Sequence, residues 1–75
     1  MATPQDAQQE IMDALYDHFD RSGESLTPAQ IAEMTALDEP TVQNALRVLY
    51  NAGRIEGIPV EEFDYPLEVT NVAYQ

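Results

Sequence analysis

Residues 26–55 read LTPAQIAEMTALDEPTVQNALRVLYNAGRI, and this stretch decides the fold. Thr27-Pro28-Ala29-Gln30 has the form of a capping box. The Thr27 hydroxyl caps, Pro28 suits the first turn, and the Gln30 side chain reaches back. Ile31, Ala32 and Met34 follow as the apolar positions of a short helix, with Ala32 small enough for close approach by a neighbour. Thr35-Ala36 then reads as a tight turn, and Leu37 as a plug into the core. Asp38 is placed to cap the next helix, with Glu39 and Pro40 in its first turn. Val42, Ala45, Leu46 and Leu49 recur at helical spacing and are expected inside, which turns Thr41, Gln43, Asn44, Arg47 and Asn51 outward. Ala52-Gly53 stops the helix, with Gly53 as the left-handed residue that lets the chain enter a strand.

Towards the N-terminus, Thr3 is read as a helix cap, Pro4 as a first helical residue and Asp6 as a charge suited to the positive helix end. Ile11, Ala14, Leu15, His18 and Phe19 form one apolar stripe, with Asp13, Asp17 and Asp20 largely off it. Arg21 to Ser25 ends this helix, with Gly23 able to turn left-handed, and Leu26 is an apolar anchor with the makings of a very short edge strand. Towards the C-terminus the period changes. Ile55, Gly57 and Pro59 alternate with Arg54, Glu56 and Ile58, too weakly to fix the buried face. Residues 59–66 read as a turn-rich loop with a proline at each end. Leu67, Val69 and Asn71, set against Glu68, Thr70 and Val72, read as a second strand running towards Tyr74, which makes an antiparallel hairpin.

The chain has 75 residues, 14 carboxylates, three arginines and no lysine, for a net charge of −11. Its length allows one compact core that buries about 60% of the unfolded surface. A hydrophobic content of 44% is ordinary for a folded domain. The chain has no cysteine, which excludes disulfides and thiolate metal sites. MATPQDAQQE lacks the basic and apolar regions of a signal peptide, and no apolar run approaches the roughly 18 residues of a membrane span. A cytoplasmic protein without membrane attachment is expected. The charge repels nucleic acid and anionic membranes at ordinary ionic strength. Two settings accommodate it. One is a halophilic source, where molar salt cuts the Debye length to about 3 Å; the other is a basic protein partner.

The stretch from 26 to 55 resembles the winged helix-turn-helix transcription regulators, in the broad style of the multiple-antibiotic-resistance and arsenic-repressor groups. The resemblance rests on Leu26-Thr27, Ile31-Ala32, Leu37, Thr41-Val42, Ala45-Leu46, Leu49 and Ala52-Gly53-Arg54-Ile55. It implies that the second helix of the motif lies in the major groove of double-stranded DNA. Carried onto this chain, Thr41, Gln43, Asn44 and Arg47 are the candidate base contacts. Asn or Gln can bond adenine, Arg can bond guanine, and a Thr methyl can pack on thymine. Arg47 and Arg54 are candidate phosphate contacts, and Thr27 marks a helix start whose N–H groups suit a phosphate. The chain departs from the pattern at Ala36, where the family commonly has a turn glycine. The wing differs too, carrying Glu61, Glu62 and Asp64 in place of basic residues, and Glu39 faces the duplex. With three cationic side chains, little counterion release is available to drive binding.

Other residues admit a sharper and a plainer reading. His18, the only histidine, is read as partly buried and structural, because no further metal ligands accompany it. Tyr16, Tyr50, Phe63, Tyr65 and Tyr74 lack the interleaved basic residues of a single-strand stacking platform. Tyr50 and Tyr74 read as packing, whereas Phe63 and Tyr65 form an aromatic pair in an acidic loop suited to a protein contact. Asp38-Glu39 and Glu61-Glu62 come without nucleophile, phosphate loop or calcium-loop spacing, so no enzyme, metal or cofactor is expected. Arg47 and Arg54 equally suit surface ion pairs.

The expected structure is α+β: a small winged helix of three helices followed by a two-stranded antiparallel wing hairpin, with room for a short third strand at Leu26. One domain is expected over 1–75, with the helix-turn-helix at about 27–52 and the wing at about 54–74. The expected function is DNA-binding transcription regulation adapted to high salt, by a monomer or homodimer. The alternative is an acidic protein-interaction module that uses Phe63 and Tyr65 and does not bind DNA on its own.

Overall fold

The computed structural model describes residues 4–73, with side chains from residue 6 onward. The expected Thr3 cap and the packing of Tyr74 lie outside these residues. Three helices, α1 (Pro4–Arg21), α2 (Pro28–Thr35) and α3 (Glu39–Asn51), precede two strands, β1 (Ile55–Gly57) and β2 (Val69–Val72). The strands pair antiparallel. Leu26 bridges Val69 through Leu26 N–H to Val69 O at 2.9 Å and the return bond at 2.7 Å. The sheet has two strands, and at Leu26, where a short third strand was expected, the chain makes a single-residue bridge on the other edge of β2.

Both ends of α2 follow local chemistry. The Gln30 N–H donates to Thr27 Oγ1 at 3.2 Å, and the Thr27 N–H donates to Gln30 Oε1 at 2.9 Å, completing the capping box. The turn needs a left-handed residue, and Ala36 supplies it at φ 59°. Without the glycine the turn was expected to be built another way, but Ala36 takes the left-handed conformation that a glycine would, and its methyl group carries the strain. The tie from Thr35 Oγ1 to Ile31 O at 2.8 Å holds the last turn of α2.

Asp38 sits at the N-cap of α3 but makes no capping hydrogen bond with its side chain. Pro40, two residues on, has no N–H, which removes one of the two donors a cap side chain normally reaches. At the other end Gly53 adopts φ 74°. Its N–H donates to Tyr50 O at 3.1 Å, and the Arg54 N–H donates to Leu49 O at 2.9 Å. These two bonds form a Schellman ending, as the sequence leads one to expect.

Gly23, by contrast, is not left-handed. The end of α1 is held by side chains instead. His18 donates its Nε2–H to Glu24 O at 2.8 Å, and the Glu24 N–H donates to Ser22 Oγ at 3.2 Å. His18 is half-buried and structural, edge-on to Phe19 with ring centroids 4.9 Å apart.

The core joins Ile11, Met12 and Leu15 of α1 to Leu26, Ile31, Val42, Ala45, Leu46, Leu49, Ile55, Val69 and Val72. Val42, Ala45, Leu46 and Leu49 are buried as expected, and Leu37 packs against this cluster half-buried. Met12 and Ala7, off the expected stripe, are buried, while Met34 is exposed. The expected alternation along β2 fails. Ile55 faces Val72, Glu56 faces Asn71, but Gly57 faces Val69, so Thr70 is the extra residue of a β-bulge. The bulge lets Val69 and Val72, three residues apart, both reach the core. Beyond it, Ile58 and Leu67 stay paired through Leu67 N–H to Ile58 O at 2.9 Å, yet both side chains are exposed. The hairpin closes over Pro66, which is fully buried. A Cβ on Gly57 would lie 2.5 Å from Pro66 Cβ and 2.6 Å from the Glu68 carbonyl oxygen, so only glycine fits there.

Candidate nucleic-acid interface

With Val42, Ala45, Leu46 and Leu49 turned inward, the opposite face of α3 is set by the helical period. Pro40, Asn44, Val48 and Asn51 are exposed, and Arg47 lies beside them. Thr41 and Gln43 sit on the two flanks, each half-buried. Of the four expected base-contact residues, Asn44 and Arg47 therefore lie on this face, while Thr41 and Gln43 stand at its two opposite margins. Val48 was not among the expected contacts, although its spacing of seven from Thr41 places it on the same side. The exposed Glu39 stands at the leading end of this face.

Arg47 is not free. Its Nη2 donates to Asn44 Oδ1 at 3.0 Å, and its Nη1 lies 3.4 Å from Asp64 Oδ2 in the wing loop. Both partners of the ion pair are substantially solvent-exposed, so the pair is screened and weak. It still determines where the guanidinium rests, and it ties Asn44 into the same network. Arg21 pairs with Asp17 on α1 at 2.9 Å. Arg54, exposed just beyond the α3 stop, is the only cation without a side-chain partner among the described residues.

Thr27 is less available than its position implies. Its hydroxyl and its N–H are both used by Gln30, and Pro28 has no N–H, so Ala29 alone retains an uncommitted donor in that first turn. The phosphate site expected there reduces to one backbone group.

The wing loop carries Glu61, Glu62 and Asp64, all exposed. Phe63 and Tyr65 stack at 5.0 Å between centroids with 20° between planes. Tyr65 is half-buried against the core, so Phe63 is the exposed member of the pair. Among the described residues the tyrosines do not assemble into a platform. Tyr16 lies exposed on α1, and Tyr50 packs half-buried against the core. Among the described residues no group of acidic or histidine side chains is placed to hold a metal ion, and no helix is long and apolar enough to cross a membrane.

A family model, the winged helix-turn-helix transcription repressor, HrcA DNA-binding, matches residues 4–74, which span the three helices, the turn at Ala36 and the hairpin. The chain belongs to this family. The match bears out the winged helix-turn-helix resemblance drawn from the sequence and gives the HrcA repressor type; it lends no support to the finer likeness to the multiple-antibiotic-resistance and arsenic-repressor groups. No curated protein and no solved structure gives a significant match. As an HrcA-type domain the chain is a DNA-binding transcription regulator by family.

Proposed function

We propose that this domain represses transcription by reading duplex DNA with α3, through Asn44 and Arg47 at the centre and Thr41 and Gln43 at the margins, while Arg54 takes a backbone phosphate. The supporting observation is the arrangement of α3 within an HrcA-type fold: its apolar stripe is wholly buried, and its amides and guanidinium share the opposite face. Binding requires Arg47 to exchange Asp64 for a guanine edge or a phosphate. The chemistry is recognition alone, with no catalytic step, metal or cofactor, and DNA as ligand suits a cytoplasmic location. The surface charge of −11 fits work at high ionic strength, where repulsion from phosphates is short-ranged. Fluorescence anisotropy with random and selected duplexes, from low salt to the molar range, is the test. Saturable binding to a selected duplex supports the reading, and absence of binding at every salt removes it.

A second reading is favoured by the wing. Ile58, Phe63 and Leu67 are exposed beside Glu61 and Glu62, which suits a basic protein partner with apolar anchors. Tyr65 contributes less than the sequence implies, because it packs inward. Changing Phe63 and Leu67 together to Ser should abolish partner binding and spare DNA binding. Unchanged partner affinity would dismiss this reading.

A further inference from the structure

Val48 is the only exposed aliphatic side chain on α3 apart from Pro40, with 46% of its surface in water. It follows Asn44 by four residues and Thr41 by seven, so it stands on the groove-facing side. Its neighbours on that side, four residues before and three after, are Asn44 and Asn51. A single valine between amides is too small an apolar area to dock a protein, because protein interfaces need several hundred Å² on each side. A second copy of the chain would bring another net charge of −11 to the same surface. One small apolar group does occur among the hydrogen-bonding edges of the major groove, the C5-methyl of thymine.

We infer that Val48 packs on a thymine methyl and thereby specifies an A·T pair in the bound sequence. This rests on α3 being the DNA-reading helix. The Asn44–Arg47 bond sharpens it. Asn44 Oδ1 accepts from Arg47 Nη2 at 3.0 Å, and its amide nitrogen is the donor it can offer to an acceptor on a base. Four residues of helix rise about 6 Å, which spans about two base-pair steps. The thymine under Val48 therefore lies within about two pairs of the base addressed by Asn44.

Deoxyuridine removes only the methyl group from thymine, which makes it a direct probe. Each thymine of a duplex selected from a random pool is replaced in turn by deoxyuridine, and affinity is measured for wild type, Val48→Ala and Asn44→Ala. One position should weaken wild type about threefold to fivefold, as expected for one buried methyl. Val48→Ala should bind that duplex and its thymine parent equally, while Asn44→Ala keeps the penalty. If no deoxyuridine penalty disappears in Val48→Ala although both proteins bind the selected duplex, the inference fails and the groove reading stands. A penalty lost equally in both variants also overturns it, because the change would then belong to the whole helix. Should wild type bind no duplex at any salt, both fall. Val48→Ser, which carries no methyl group, should behave as Val48→Ala if the contact is apolar, and a Val48→Ser variant that retains the penalty would count against the inference.

Discussion

Ala36 holds φ 59° with a methyl group attached, a conformation that costs an L-residue about 1–2 kcal/mol. Ala36→Gly should therefore stabilise the domain by about 0.5–1 kcal/mol, after allowing for the extra freedom glycine gives the unfolded chain. An unchanged or lower urea midpoint would show that the turn is not strained. Gly57 is the converse case. Its missing side chain is filled by Pro66 and the Glu68 carbonyl, so Gly57→Ala must push the wing open. A loss of about 1–3 kcal/mol in chemical denaturation is expected, typical of overpacking. The turn position of Ala36 could be read from the sequence, but its left-handed backbone could not, because alanine carries no sign of that preference. Gly57 was also opaque: its glycine is required by a residue nine positions away, and no local pattern records such an approach.

At the scale of elements, α3 was the most legible part of the chain, because Val42, Ala45, Leu46 and Leu49 obey one helical period and all of them are buried. The wing was the least legible. Its bulge at Thr70 breaks the two-residue period, so alternation put Val69 and Val72 on opposite faces when both are buried. The candidate site was legible in which residues face outward, and not in what they touch. The contact between Arg47 and Asp64 joins two elements across a loop, and neither residue's local context indicates it.

That contact predicts competition between wing and DNA. Asp64→Asn should tighten binding to a selected duplex about twofold to fivefold, in line with the strength of an exposed ion pair. The gain should vanish in an Arg47→Gln background, and Glu62→Gln, which removes a like charge with no arginine beside it, should give less. If Asp64→Asn and Glu62→Gln act alike in both backgrounds, general repulsion is the whole effect.

For the molecule as a whole, charge dominates. With Arg21 paired on α1, the cations near the groove face are Arg47 and Arg54. Two phosphates neutralised give a logarithmic salt slope of about −2, far shallower than for most DNA-binding domains. A slope several units steeper, measured by titration at a series of sodium chloride concentrations, would mean that other groups meet the backbone. Screening also relieves self-repulsion among the carboxylates, so the melting temperature should rise between 0.1 and 1 M sodium chloride. A flat or falling melting temperature would separate the charge from any adaptation to salt.

The double hydrogen bond between Leu26 and Val69 has a consequence for how such a domain diversifies. β2 is stitched on one side to the segment entering α2 and on the other to β1, so the base of the hairpin is anchored to the helical body. Lengthening or shortening the 58–67 loop would alter how far the wing extends while leaving its aim unchanged. New sequence can accumulate at that tip without re-engineering the scaffold that points it.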